Sequence, residues 1–175
     1  MVELGKRITK IEELAKKSRD PHKGEELQVA DRFIEYYNNT YRTDYILSKS
    51  QPVSIDDKID IFANSKSDSG KILEIQVKTF DSRFRATVNK CSSGEFLRIV
   101  NQTEKHPLIS EFRKSIPKLE IKYKNTNNGL VILFDGFWGF NLGEKLAEDL
   151  KKLFTNKRFK EVWIVYSGKN CIRLL

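Results

Sequence analysis

Glu74, Gln76 and Lys78 stand at alternate positions in Ile72-Leu-Glu-Ile-Gln-Val-Lys78, and Asp60 lies a short distance upstream in Lys58-Ile-Asp-Ile-Phe-Ala63. A pair of carboxylates makes a hard oxygen site for Mg²⁺, with Mn²⁺ as a substitute; Mg²⁺ keeps most of its waters and is commonly held by only one or two protein carboxylates. An ammonium beside such a site can orient or deprotonate an attacking water and offset charge developing on a phosphoryl group. Gln76 has two uses there: its carbonyl oxygen suits the metal and its amide suits a phosphate.

Two elements must position these groups. Ile59, Ile61 and Ala63 alternate with Lys58, Asp60 and Phe62, and Leu73, Ile75 and Val77 alternate with Glu74, Gln76 and Lys78. A period of two puts each set on one face of a strand. Between the runs, Ser65-Lys-Ser-Asp-Ser-Gly70 supplies turn residues and nothing apolar, so the stretch 56–80 is expected to form paired strands. The second strand is apolar on one face and carries a carboxylate, an amide and an ammonium on the other, which suits a central strand bearing a site. Upstream, Leu27, Ala30, Ile34, Tyr37 and Tyr41 recur at helical spacing, widened by Val29 and Phe33, and predict a helix from about Gly24 to Tyr41. Glu26 shares that apolar face near the helix start, where the helix dipole alone would favour a carboxylate.

At these residues the chain resembles the PD-(D/E)-x-K nuclease superfamily, in which an Asp on one strand is followed by an acidic-x-Lys triplet on the next. Asp60 and Gln76-Val77-Lys78 match in order, spacing and strand context. Ile59 stands in place of the proline and Gln76 in place of the acid. The second departure is similar to the Gln-x-Lys variant of Mrr-type restriction endonucleases and of related archaeal and bacterial restriction or resolvase-like enzymes. The resemblance implies a restriction-endonuclease-like α/β fold, with a central mixed β-sheet flanked by helices. It also implies a Mg²⁺-dependent hydrolase of DNA phosphodiester bonds. Asp60, Glu74 and Gln76 would then hold the metal and Lys78 would position the water. Glu26, in Glu26-Leu-Gln-Val-Ala30, resembles the glutamate that many members carry on the first core helix, facing the metal site. A homodimer would suit double-strand cutting.

The 175 residues fit a single domain, with residues 1–20 expected as a basic, helical N-terminal extension. A net charge of +8 and a pI near 9.4 favour a polyanionic partner such as DNA, with RNA the alternative. The two cysteines have neither zinc-site nor disulfide-framework spacing, and no run approaches the roughly 18–20 apolar residues of a membrane span. A reduced, cytoplasmic setting is therefore expected. No phosphate-binding Gly-x-x-x-x-Gly-Lys and no Gly-x-Ser-x-Gly occurs, which argues against a P-loop nucleotide hydrolase and a serine hydrolase. Arg83-Phe-Arg85 interleaves cations with an aromatic, and 95–102 and His106–Ile116 are read as helices. Leu119-Glu-Ile-Lys-Tyr123 alternates and is read as a half-buried strand; Leu130–Phe134 and Val162–Tyr166 are read as buried strands around an amphipathic helix with Leu146, Leu150 and Phe154 inward. The competing functional reading is a nuclease-fold module with a weakened site that binds nucleic acid or a protein, for which Gln76 is the best argument.

Overall fold

The computed structural model describes residues 2–18, 20–52, 59–79, 107–123, 130–135, 144–154, 159–166 and 171–175. In chain order these form helix α1 (Val2–Lys16), helix α2 (Lys23–Tyr41), strands β1 (Tyr45–Leu47), β2 (Ile61–Ser65) and β3 (Ile72–Lys78), helix α3 (Pro107–Lys122), strand β4 (Leu130–Asp135), helix α4 (Glu144–Phe154), and strands β5 (Glu161–Val165) and β6 (Cys171–Arg173). The six strands make one mixed sheet in sequence order: β1, β2 and β3 are an antiparallel meander, β4 and β5 run parallel to β3, and β6 returns antiparallel. The protein is thus a mixed α/β fold in which a six-stranded sheet is flanked by helices.

The two faces of the sheet carry separate cores. Ile61, Ala63, Leu73, Ile75, Val77, Val131 and Leu133 pack under α1 and α2 with Leu27, Ala30, Phe33 and Ile34. Leu130, Ile132, Phe134, Val162 and Ile164 pack under α3 and α4 with Phe112, Ile116, Leu150 and Phe154. Strands buried on both faces read as continuous apolar runs, which is the pattern of β4 and β5. The N-terminal helix is part of this packing, since Ile11 and Leu14 join the α2 core.

Local chemistry fixes the entry to the sheet. Helix α2 stops at Arg42, which takes the left-handed conformation (φ 54°) and sends its N–H to the Asn38 carbonyl. The Asn38 side chain then accepts from the Tyr45 N–H at 2.9 Å and donates to the Tyr45 carbonyl at 2.8 Å, tying β1 to the helix. Beyond β1, the Gln51 amide bonds both the N–H and the C=O of Phe62 at 3.0 Å, continuing the ladder with a side chain.

One expected element differs. Leu119–Tyr123 is not a strand: residues 119–122 are the last turn of α3, which starts at Pro107, and Tyr123 follows directly. Alternation over five residues also fits i, i+4 spacing, and here Ile109, Phe112, Ile116, Leu119 and Tyr123 form one buried stripe while Ile121 is 78% exposed. Pro117 falls inside the helix without ending it. The expected helix at 95–102 and the Arg83-Phe-Arg85 segment lie outside the described residues. Among those described, no helix is long and apolar enough to cross a membrane.

Candidate functional site

The candidate site lies at the C-terminal ends of the parallel strands β3 and β4, where open α/β sheets usually bind their ligands. Lys78 ends β3, and Asp60 immediately precedes β2, which is antiparallel and so begins at the same edge. The register pairs Ile61 with Ile75, and the Asp60 N–H bonds the Ile75 carbonyl at 3.0 Å. That pairing brings Asp60 opposite Gln76. The Gln76 amide nitrogen donates to Asp60 Oδ2, and the same oxygen accepts the Val77 N–H at 2.8 Å. The carboxylate is thereby held by the strand that carries the lysine.

Helix α2 reaches this edge with its first turn. Lys23 is 4% exposed, donates its ammonium to the Asp60 main-chain carbonyl, and sits 3.8 Å from Glu26 Oε2. Glu26 lies one turn before the buried Ala30 and two turns before Phe33, so the apolar face that packs the helix also turns this carboxylate inward, with 15% of its side chain exposed. On the other side of the sheet, Tyr123 closes the group: the amines of Lys78 and Lys122 lie 5.8 and 5.4 Å from its ring centroid, within cation–π range.

The electrostatics follow from burial. Desolvation pushes the Glu26 carboxyl up to about 7, the Asp60 charge adds to the rise, and Lys23 and Lys78 oppose it. Desolvation also raises Asp60, against the Val77 N–H and the charges of Lys78, Lys23 and Lys122. Burial lowers the Lys78 amine; the Asp60 and Glu26 charges pull it back, and Lys122 lowers it further. Burial raises the Tyr123 phenol, helped by Asp60 and Glu26. Two carboxyls and one amine that each influence the others' ionisation form one cluster, and such perturbation is common where proton chemistry is done.

Of the residues expected at the site, Asp60, Gln76, Lys78 and Glu26 come together. Glu74 does not join them as closely. It shares the face of Gln76, but the register places it opposite Phe62, two residues further from the sheet edge. Residues the sequence reading did not single out are Lys23, Lys122 and Tyr123. The i, i+3 spacing of Lys23 and Glu26 was the available signal for the first. The other two were hidden by the strand reading of 119–123.

The donor set fits a hydrated divalent cation. Gln76 is 2% exposed, and its Oε1 and Glu26 Oε2 are buried oxygens without a hydrogen-bond partner among the described residues. Oxygen acceptors left unpaired in a native interior call for an explanation, and a bound ion supplies one. Asp60, Gln76 and Glu26 are the residues that would hold it; two carboxylates and an amide oxygen match the sparse, oxygen-only sets of Mg²⁺. No cluster of three or more His, Cys, Asp or Glu side chains occurs among the described residues, so a site of the richer, cage-like kind is not formed by them. Comparison with protein-family models, with curated proteins and with solved structures finds no match.

Proposed function

We propose that this protein is a metal-dependent endonuclease that hydrolyses DNA phosphodiester bonds, on a sheet of restriction-endonuclease-like design. The observation that carries the reading is the joining of Asp60, Gln76, Lys78 and Glu26 at one sheet edge, with two buried oxygens that have no hydrogen-bond partner among the described residues. The mixed sheet flanked by helices supports the same reading, because a central mixed sheet of that kind is what the PD-(D/E)-x-K resemblance implies.

When bound, Mg²⁺ would polarise a phosphoryl oxygen and lower the pKa of a water. The protein's own residues do the rest. Asp60 is locked by the Val77 N–H and the Gln76 amide, so its orientation needs no rearrangement when charge arrives. Lys78, partly desolvated and with a lowered pKa, positions the attacking water and can exchange a proton with it. Glu26 approaches from α2 and can be ionised or protonated near neutrality. The net charge of +8 holds the polyanionic substrate.

The test is cleavage of supercoiled, linear and branched DNA with Mg²⁺ or Mn²⁺ by wild type, Asp60→Ala and Lys78→Ala. Metal-dependent nicking lost in both variants is expected. Salt-sensitive DNA binding with no turnover under any metal would replace this reading with that of a nuclease-fold binding module, the reading that Gln76 favours.

A further inference from the structure

Beside Lys78, on the α3 side of the sheet, a cavity of about 270 Å³ opens between helix α3 and the ends of β3 and β4. Its lining is Lys78, Thr79, Ser115, Lys118, Lys122 and Glu111, over an apolar base of Leu119 and Phe134. The helix contributes a stripe at 111, 115, 118 and 122, spaced i, i+4, i+7 and i+11, which runs along one flank of its buried apolar stripe. Three amines therefore face one carboxylate across a space with an apolar floor. That combination is poor for an apolar ligand and poor for a cation. It suits an anion that carries a flat or apolar body.

We propose that this cavity holds one nucleotide of the cleaved strand, adjoining the scissile phosphate. Lys118 and Lys122 grip the phosphates on either side of it, the Ser115 hydroxyl adds a hydrogen bond, and the sugar and base rest on Leu119 and Phe134. The inference deepens the nuclease reading and rests on it for the identity of the strand. Three features carry it. The cavity shares Lys78 with the candidate catalytic group, so a ligand filling it is continuous with one at Asp60. Lys118 and Lys122 are one turn apart on α3, about 6 Å along the axis, a separation on the scale of neighbouring phosphates. The volume is on the scale of a single nucleotide rather than a base pair.

The experiment is binding of a fluorescein-labelled thymidine dodecamer to the full chain in EDTA, by anisotropy across a salt series, for wild type, Lys118→Ala/Lys122→Ala and Arg113→Ala/Lys114→Ala. The last pair is exposed on the same helix, away from the cavity, and removes the same charge. Loss of two phosphate contacts should flatten the slope of log K against log salt by about 1.4, at about 0.7 per contact for a single strand. The control should change it much less. With Mg²⁺, the cavity variant should raise KM for DNA, since it removes ground-state binding. Equal slopes for the two double variants, or an unchanged slope and KM in the cavity variant, would overturn the proposal. Binding in EDTA is read without turnover: a wild type that binds with the expected lysine dependence but never cuts refutes the nuclease reading and keeps the nucleotide pocket.

Discussion

Lys23, in the first turn of helix α2, donates its ammonium to the main-chain carbonyl of Asp60, thirty-seven residues later. The bond joins the helix that carries Glu26 to the residue that leads into β2 and carries the Asp60 carboxylate. A hydrogen bond from a charged group contributes about 1.5–3 kcal/mol, and a buried acceptor left unmade costs a similar amount. Lys23→Met, which keeps the volume and removes the charge, should therefore lower stability by about 1–3 kcal/mol. In a chain of this size that is roughly 2–4 °C in Tm per kcal/mol. It should also weaken Mg²⁺ binding, because Asp60 loses its fixed main chain and Glu26 loses the cation that favours its ionised form. Thermal melts and metal titration check both; a variant identical to wild type in each removes the clamp from the argument.

Gln76 invites the opposite substitution. Gln76→Glu exchanges the amide that donates to Asp60 Oδ2 for a carboxylate, placing two acids together in a buried setting. Without metal the pair must share a proton or repel, as closely spaced carboxylates do. The variant should melt below wild type in EDTA and gain more than wild type from Mg²⁺, since the added charge binds a cation and has no other partner. A variant whose Tm gain from Mg²⁺ is no larger than that of wild type would mean that residue 76 does not face the ion.

Much of this site was legible because β-strand alternation leaves two independent records in one run. Leu73, Ile75 and Val77 specify the buried face, and what remains, Glu74, Gln76 and Lys78, must share the other. Glu26 was legible for the same kind of reason, being in phase with Ala30 and Phe33. Register was not, because it depends on which residues pair across β2 and β3. The observed pairing sets Phe62 against Glu74 and brings Asp60 to Gln76, so the amide occupies the place expected of the acid. Helix α3 shows the other limit. Leu119 and Tyr123 satisfy a period of two and a spacing of four equally well, and only packing against Phe112 and Ile116 decides between them. Misreading that turn concealed Lys122 and Tyr123, and with them the pocket wall.

The ionisation of Glu26 sets a pH dependence with a definite sign. Its folded pKa of about 7 lies above the ordinary 4.5, so between those values the folded chain holds a proton that the unfolded chain has released. Stability from this group is complete below about pH 4.5 and is lost as pH rises through 7. Asp60, also raised, acts in the same direction. In EDTA the Tm should fall from pH 5 to pH 7.5, once the slope remaining in Glu26→Gln is subtracted. A Mg²⁺ ion held at the proposed site would favour the ionised carboxylates, so its stabilising effect should grow over the same interval. A Mg²⁺ shift in Tm that is flat with pH would separate Glu26 from the metal.

Cys171 gives a prediction away from the site. It lies on strand β6, is buried against the α2 core, and its thiol is pushed up to about 12 by burial, with Arg32 opposing. Only the thiolate attacks alkylating and disulfide reagents, so the folded protein should hide this residue. In a Cys91→Ser background, reaction with a disulfide reagent at pH 8 should be slow and should accelerate in urea along with loss of structure. The sign for stability is again fixed: the folded thiol keeps its proton above the ordinary value of 9, so folding is weakened as pH rises beyond 9. Cys171→Ala removes the titration and should shallow the alkaline limb of the stability profile. Labelling of native Cys91→Ser protein at the rate of an exposed thiol would mean that β6 opens readily, and that the sheet's last strand is the first to leave.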